Sequence, residues 1–242
     1  DTGVARKPID DMEAYRHSLA RRADPSASFI QGVQARCKEL QRRIVFAEGE
    51  EPAVVRAAFS FKNQGLGHPI LIGREAQVER AMEQMGIQPG TLEILNARLS
   101  DNNPVYTDML YARLQRDGYL KRDAQRLVNQ DRNVFGCCML KNGDADGMVT
   151  GVTRNYDVAL NDSLLVLDPI PGQAIIGMSM VINRGRTVFI ADTSVTELPQ
   201  GEDLANIAIE AARGVRSLGF SPRVAFLSYS TFGNPMGERG EK

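Results

Sequence analysis

The segment RRIVFAEGEEPAVVRAA, residues 42–58, decides the fold class. It starts with an apolar run, Ile44 to Ala47, that is short enough to be a buried strand, and continues through an acidic turn. Pro52 then opens a helical stretch, because proline is favoured in the first turn of a helix. The segment therefore predicts a strand followed directly by a helix, which is the repeating unit of a parallel sheet.

The same alternation continues along the chain. The segment GLGHPILIG ends the first helix and predicts a strand at residues 69–72. A helix is expected at residues 75–85, and a glycine-bounded turn then precedes a predicted strand at residues 92–95. Strands that alternate with helices indicate an α/β fold with a mostly parallel sheet and helices on both faces.

The middle of the chain is predicted to be helical, then extended, then irregular. Residues 103–129 carry apolar side chains at helical spacing. The run from Val134 to Leu140 is compact and apolar, which favours a buried strand. The segment NGDADGMVTG that follows is rich in glycine and aspartate and predicts a loop.

After Gly151 the pattern starts again, which predicts a second domain. In chain order we expect a helix, two hairpin strands joined by a tight turn, an amphipathic helix and a final strand buried on both faces, at residues 158–167, 175–182, 187–191, 203–218 and 224–227. The chain is accordingly divided into a charged amino-terminal segment, a first α/β domain and a second α/β domain, at residues 1–24, 25–150 and 151–242.

Composition excludes several classes of function. The 29 lysines and arginines are balanced by 30 aspartates and glutamates, so nothing indicates a nucleic-acid partner. No apolar stretch approaches the length of a membrane span, and the amino terminus does not read as a signal peptide. The three cysteines include the vicinal pair Cys137 and Cys138 and lack metal-ligand spacing, which is typical of reduced thiols in a cytoplasmic protein.

Two short motifs argue only weakly for a ligand. Asn142, Asp144 and Asp146 match the start of a calcium-binding loop, but its twelfth position is Thr153 and not a glutamate. GLGHPILIG lacks the later glycine of a dinucleotide fingerprint and leads into a strand instead of a helix. We therefore predict neither a calcium site nor a dinucleotide site here.

Polar clusters at predicted strand and loop ends are the best candidates for a ligand site. They comprise Thr153, Arg154 and Asn155 after the Gly151 turn, Asp192 after the hairpin, and Ser228, Tyr229, Ser230, Thr231, Gly233 and Asn234 after the last predicted strand. Ligands of open α/β sheets bind beyond the carboxyl ends of the strands. One arginine among hydroxyl and amide groups suits an anionic, carbonyl-bearing ligand such as an acyl phosphate or acyl-CoA.

Plainer interpretations of these residues stay open. Arg154 could be an ordinary salt-bridge partner, Asp192 could only orient its loop, and the serines and threonine could form a turn after a core strand.

Five blocks carry a resemblance to a known family. They are FAEGEEPAVVRAA, GHPILIG, GDADGMVTG, TVFIADTSV and EDLANIAIEAARGVRSLGFSPRVAFLSYST. In this order they resemble the phosphate acetyltransferase family, from about Ser28 to the end of the chain. The resemblance implies two α/β domains, a cleft between them that binds coenzyme A and acetyl phosphate, and a dimer. It also implies that residues 1–24 are a linker and that the second domain, residues 151–242, is incomplete at its carboxyl end.

Two departures from that family narrow the resemblance. Arg154 stands where the enzymes typically have a histidine. Phe232, Gly233 and Asn234 stand where they often have a lysine or arginine followed by Gly-Ser. Both are similar to the acetyltransferase-like C-terminal domain of hybrid NADP-dependent malic enzymes. The segment DTGVARKPIDDMEAYRHSLARR resembles the end of the malic-enzyme catalytic part and the start of the linker in those proteins.

This second resemblance implies a regulatory role. The domain would bind acetyl-CoA as an allosteric ligand and inhibit oxidative decarboxylation of malate to pyruvate by a catalytic domain in the same polypeptide, within a homodimer or higher homo-oligomer. NADP and a divalent metal would belong to that catalytic part. Arg154 would hold phosphate or carbonyl oxygens, the hydroxyls of Ser228, Ser230 and Thr231 would donate to the acyl or pantetheine end, and Asp192 would position its loop.

Two alternatives remain beside the regulatory role, for which no catalytic residue is predicted. The chain could be an active phosphate acetyltransferase, which would need a base for the thiol of coenzyme A and cationic groups for the acyl phosphate. It could also be a purely structural dimerisation domain.

Overall fold

The computed structural model describes residues 11–13, 15, 16, 19, 25–183 and 186–227. By their internal contacts the residues form two compact units, which are described separately. The sheet unit comprises Val33–Asp168, and the hairpin unit comprises the described residues of Asp1–Gly32 and Pro169–Lys242. The predicted domain boundary near Gly151 lies inside the sheet unit and stays a prediction.

The sheet unit contains a four-stranded parallel sheet. Its strands are β1 (Arg42–Phe46), β2 (Gly67–Ile72), β3 (Glu93–Leu95) and β4 (Gly147–Val149). They lie in the order β3-β2-β1-β4, and every pair is parallel. The predicted α/β class and the first three strands are thereby confirmed, whereas β4 lies in a segment expected to be a loop.

Helices connect these strands. They are α1 (Pro25–Leu40), which precedes β1, α2 (Pro52–Asn63), α3 (Glu75–Gln84), α4 (Asn103–Leu114), α5 (Lys121–Gln130), α6 (Arg132–Asn142) and α7 (Tyr156–Leu164), with a short 3-10 helix at Gln115–Asp117. Helices α2 and α3 follow β1 and β2 as the sequence pattern predicts.

Both faces of the sheet are buried, and alternate residues of one strand belong to different cores. Val45 and Ile72 pack with side chains of α4, α5 and α6. Phe46 and Leu71 pack on the other face with side chains of α2 and α3. This alternation follows from the two-residue period of a strand. The sheet is therefore covered by helices on both sides, and its carboxyl edge is left for loops.

The predicted strand at Val134–Leu140 is wrong, because the structure places this run in helix α6. Every residue from Asn133 to Met139 is buried, so no polar face marks a helical period. The helix signals lie at its ends. The carboxylate of Asp131 accepts hydrogen bonds from the first-turn amides of Asn133 and Val134, and Gly143, with a φ of 83°, caps the other end.

The described part of the hairpin unit contains the first half of α1, one antiparallel strand pair and one long helix. Strands β5 (Met178–Asn183) and β6 (Arg186–Ala191) pair with Asn183 opposite Arg186, which confirms the predicted hairpin. Helix α8 (Gly201–Ser217) follows, and it buries Ile207, Ala212 and Val215.

The predicted buried strand at residues 224–227 is also wrong. The described residues 221–227 form neither helix nor strand, and Leu227 is 94% exposed. An apolar run becomes a strand only when neighbouring strands satisfy its backbone groups. The two sheets among the described residues include no strand from this segment.

Candidate functional site

The loop after β1 organises the carboxyl edge of the sheet. Glu48 is 2% exposed, and its carboxylate points at the turn that follows β4. One oxygen accepts hydrogen bonds from the backbone amides of Gly151 and Val152, at 3.0 and 2.7 Å. The other accepts from the amide and the hydroxyl of Thr153, at 2.7 and 2.5 Å. Three consecutive amides and one hydroxyl therefore surround a single carboxylate.

These donors keep Glu48 ionised. Burial raises the pKa of its carboxyl group, but the hydrogen bonds from Thr153, Val152 and Gly151 together outweigh it, so the pKa lies below the ordinary value. A buried carboxylate is tolerated only when hydrogen-bond donors replace its lost water. The four donors of the turn meet that requirement.

The same loop is joined to the end of β2 through Glu50. Its two oxygens accept from Nε and Nη2 of Arg74, at 2.9 and 3.0 Å, and one also accepts from the Arg74 amide at 2.9 Å. The Arg74 guanidinium lowers the pKa of Glu50. The loop after β1 is thus attached to the loops of both neighbouring strands.

Arg154 lies in a cluster of acidic side chains. Its Nη1 atom is 2.6 Å from a carboxylate oxygen of Asp131 and 2.6 Å from one of Asp162. The three side chains are 26%, 20% and 16% exposed, so the cluster is largely removed from water. The burial of Arg154 lowers its pKa, but the two carboxylates, Asp131 first, outweigh burial and raise the pKa above its ordinary value.

A polar network connects this cluster to β4. The side-chain amide of Asn133 donates to Asp162 at 2.9 Å, and its carbonyl oxygen accepts from the hydroxyl of Thr150 at 2.6 Å. Asn133 is 1% exposed, and both ends of its side-chain amide are satisfied. The turn after β4 is therefore fixed to the amino end of α6 and to α7.

Asn155 lies next to this network, at the amino end of α7. It precedes α7 with an extended backbone, and its carbonyl accepts the first hydrogen bond of the helix, from the Ala159 amide at 3.1 Å. The residue is exposed. It is placed where a ligand could reach its side chain.

Asp192 in the hairpin unit also binds backbone amides. One carboxylate oxygen accepts from the amide of Gly177 at 2.7 Å, and the other accepts from the amide of Thr196 at 2.7 Å. The amides of Ser194 and Val195 add longer bonds. Burial raises the pKa of Asp192, but these donors together lower it below its ordinary value. The carboxylate orients its own loop, in keeping with the plainer interpretation of this residue.

The predicted site residues fall into three groups. Thr153, Arg154 and Asn155 lie together in the sheet unit, and Asp192 lies in the hairpin unit. Ser228, Tyr229, Ser230, Thr231, Gly233 and Asn234 lie outside the described residues. A common ligand site for all ten stays a prediction.

The acidic partners Glu48, Asp131 and Asp162 are not identified by the sequence pattern. Glu48 lies in the block FAEGEEP, where it reads only as part of an acidic turn. An aspartate three residues before a buried apolar run, as Asp131 is before Val134, is a helix-capping signal that could have been used. Asp162 carries no signal of this kind, because only the fold brings it to Arg154.

The described residues offer no cluster of metal ligands. No group of three or more histidine, cysteine, aspartate or glutamate side chains there could hold a metal ion. Asp144 and Asp146, the residues of the weak calcium motif, accept hydrogen bonds from Tyr106 and from Arg43, respectively. No helix in the same part of the chain is long and apolar enough to cross a membrane.

Comparison of this sequence with known proteins identifies its family. The chain belongs to the phosphate acetyl/butaryl transferase family, whose model matches residues 28–242. The chain is 52% identical over 244 residues to an NADP-dependent malic enzyme of Rhizobium meliloti (strain 1021), covering 100% of this chain and 32% of that protein. It thus spans about a third of the length of the malic enzyme it matches.

Phosphotransacetylases are more distant relatives. A phosphate acetyltransferase of Thermoanaerobacterium thermosaccharolyticum is 29% identical over 223 residues, covering 89% of this chain and 67% of that protein. A solved phosphotransacetylase from Streptococcus pyogenes superposes with a TM-score of 0.77 at 28% identity, covering 88% of this chain and 65% of that structure. These matches confirm the resemblance to the phosphotransacetylase-like part of NADP-dependent malic enzymes.

Proposed function

We propose that this chain is the acetyl-CoA-sensing part of an NADP-dependent malic enzyme and does not itself transfer acetyl groups. The parent context is supported by the 52% identity that extends over the whole chain to a malic enzyme, against 29% to a phosphate acetyltransferase. In the parent protein the chain would respond to acetyl-CoA and inhibit the decarboxylation of malate. The dimer or higher oligomer implied by the resemblance is part of the same proposal.

The observation that carries the non-catalytic role is the pairing of Arg154 with Asp131 and Asp162. Stabilisation of a transferring acyl phosphate needs cationic groups and amide donors that are free to meet developing negative charge. Two carboxylates outnumber the one guanidinium at 2.6 Å each, so the cluster disfavours a phosphate dianion. The amides of the adjacent turn are equally engaged, because Glu48 accepts from all three of them.

Binding of acetyl-CoA is compatible with the same arrangement. The Arg154 side chain retains 26% exposure, and a guanidinium has five donor hydrogens, of which those on Nη1 face the two carboxylates. An outer edge of the guanidinium can therefore donate to a neutral acceptor such as the carbonyl oxygen of the ligand, which the two carboxylates do not repel as they would a phosphate dianion. Thr153 contributes differently, since its amide and hydroxyl are bonded to Glu48 and hold the turn.

Regulation then follows from differential affinity. A ligand that prefers one arrangement of the oligomer shifts the equilibrium toward it by the ratio of its affinities for the two states. Acetyl-CoA would in this way bias the catalytic part without contacting malate.

An active phosphate acetyltransferase is the second candidate. The fold shared with the Streptococcus pyogenes phosphotransacetylase favours it. A purely structural dimerisation domain is the third possibility.

Titration of acetyl-CoA into the full-length protein by calorimetry, with acetyl phosphate turnover assayed on the same sample, separates the three. Binding without turnover supports the proposal. Turnover would make the chain an acetyltransferase and overturn it, and the absence of both would leave the structural role.

A variant pair tests the part played by Arg154. In the full-length protein, Arg154→Gln should weaken inhibition by acetyl-CoA, whereas Arg213→Gln should not. Arg213 is a suitable control because it is 54% exposed and pairs only with Glu210 within α8 among the described residues. If both variants are folded and acetyl-CoA inhibits them equally, Arg154 does not contribute to the acetyl-CoA site.

A further inference from the structure

The turn formed by Gly151, Val152 and Thr153, here called the amide turn, has the geometry of an anion-binding nest. Successive amides that converge on one point bind phosphate or carboxylate groups in many proteins. Here they converge on Glu48, at 3.0, 2.7 and 2.7 Å, and the Thr153 hydroxyl adds a fourth donor. The anion of this nest is supplied by the chain itself.

The amide turn exposes its side chains although its backbone is engaged. Val152 is 60% exposed and Thr153 is exposed as well, whereas Glu48 is 2% exposed. Glu48 therefore contacts the inner side of the turn and leaves its outer side available. The next residue, Arg154, is fixed independently by Asp131 and Asp162.

We infer that Glu48 is a positioning residue, whose carboxylate folds the amide turn into the conformation that presents Thr153, Arg154 and Asn155 to the ligand. Without the carboxylate, three amides would face one another with no acceptor, and their dipoles would repel. The turn would open unless a small anion from solution took the place of the carboxylate. An open turn would displace the start of α7, which begins immediately after Asn155.

This inference rests on the proposed function only for its ligand readout. The conformation of the amide turn can be measured whether or not acetyl-CoA binds. Failure of wild type to bind acetyl-CoA would end the proposed function, while the role of Glu48 in shaping the turn would still be decided by amide exchange.

The test uses Glu48→Ala in the full-length protein, with acetate as a chemical substitute. The substitution removes one methylene and the carboxylate, which are together the size of acetate. We expect hydrogen exchange in the peptide that spans residues 148–156 to accelerate at least about tenfold, since its amides lose their acceptor. Acetyl-CoA affinity should fall by about tenfold, the scale on which supporting carboxylates affect the groups they orient in metal sites.

Acetate should restore slow exchange and affinity, compared with chloride at the same ionic strength and with wild type in the same acetate. Glu50→Ala is the matched control, because Glu50 bonds Arg74 and not the amide turn. Its exchange at residues 148–156 should match wild type with and without acetate.

The inference would be overturned if hydrogen exchange at residues 148–156 were unchanged in Glu48→Ala. It would also be overturned if acetate did not reverse the faster exchange and the loss of acetyl-CoA affinity. If Glu48→Ala folds only in acetate, the carboxylate is required and the inference is supported. If it does not fold in either salt, Glu48→Gln decides. That variant retains the shape of the side chain and one acceptor oxygen, but it replaces the other oxygen with an NH2 group that can only donate. Exchange as slow as in wild type would therefore contradict the role of the carboxylate.

Discussion

The Nη1 atom of Arg154 lies 2.6 Å from Asp131 and 2.6 Å from Asp162, so that one nitrogen bridges two helices. Asp131 caps the amino end of α6, and Asp162 belongs to α7. The two carboxylates would repel each other without the guanidinium between them. Arg154 is therefore a structural cation as well as a proposed ligand contact.

Substitution of Arg154 by glutamine should destabilise the fold by about 1–3 kcal/mol, because it leaves two partly buried carboxylates without their cation. Urea unfolding of the full-length protein, followed through the transition that contains the sheet unit, measures the effect. Arg213→Gln should change stability by no more than about 0.5 kcal/mol, since exposed ion pairs contribute little.

Addition of Asp162→Asn to Arg154→Gln should restore part of the loss. The second change removes one of the two repelling charges, and the sum of the separate effects would then exceed the effect of the double variant. Additive losses would show that Asp131 and Asp162 are too well solvated to repel.

Stability should depend on pH through Glu48. Its folded pKa lies below the ordinary value of 4.5, so the folded protein prefers the ionised form more strongly than the unfolded chain does. This contribution is present in full above pH 4.5 and is lost as the pH falls from 4.5 through the folded pKa. Asp192 should act in the same direction from its ordinary value of 3.8.

Comparison of wild type with Glu48→Gln isolates the first of these contributions. The wild type should be the more stable protein at neutral pH, and the difference between the two should shrink below pH 4.5. If the pH dependence of unfolding free energy were parallel in wild type and Glu48→Gln across that range, Glu48 would have the same pKa in the folded and the unfolded protein.

The sequence predicts the sheet unit better than the site. Val45, Phe46, Leu71 and Ile72 lie in runs buried on both faces, and such runs between helices identify parallel strands without any knowledge of their partners. The run after Asp131 is equally apolar but helical, and only its caps distinguish it from a strand. Burial on all sides erases the periodicity on which the assignment depends.

The site is less predictable because its partners are distant in sequence. Glu48 and Thr153 are separated by 105 positions in the sequence. Neither segment carries a pattern that predicts the pairing of β1 with β4, which brings the two residues together. A polar residue after a strand indicates the edge at which it lies, but not the group that it contacts. Arg154 could be proposed from the pattern of residues, whereas its two acidic partners required the fold.

Chemical labelling should distinguish the three cysteines. Cys137 and Cys138 are fully buried in α6, and burial raises the pKa of their thiols to about 11 and about 12. Thiols of this kind are inert toward alkylation, because the thiolate is the reactive form. Cys37 in α1 is only partly buried.

Brief treatment of the native protein with iodoacetamide should therefore modify Cys37 before the other two, as read by mass spectrometry. The same treatment in denaturant should modify all three at similar rates. Early modification of Cys137 or Cys138 in the native state would show that α6 opens to solvent.

Gly49 is the residue at which the loop after β1 approaches β2 most closely. Its amide donates to the Ile72 carbonyl at 3.0 Å, and a Cβ atom at this position would lie 2.8 Å from that carbonyl oxygen and 2.9 Å from Cβ of Leu71. Both neighbours belong to a buried strand and cannot move freely. Gly49→Ala should therefore cost about 1–3 kcal/mol of unfolding free energy in urea, as expected for overpacking, and it should also disturb the adjacent Glu48.

Gly32→Ala is the control for this substitution, because Gly32 lies within α1. Apart from its chain neighbours and the backbone of its own helix, no heavy atom of the described residues would lie within 4 Å of a methyl group added there. That change should be neutral or stabilise by up to about 1 kcal/mol, since alanine is the better helix former. Equal stability of the two variants would mean that the loop after β1 can move away from β2. The tight attachment of Glu48 to the amide turn would then need another explanation, because a loop that is free to shift could not hold the carboxylate against three amides.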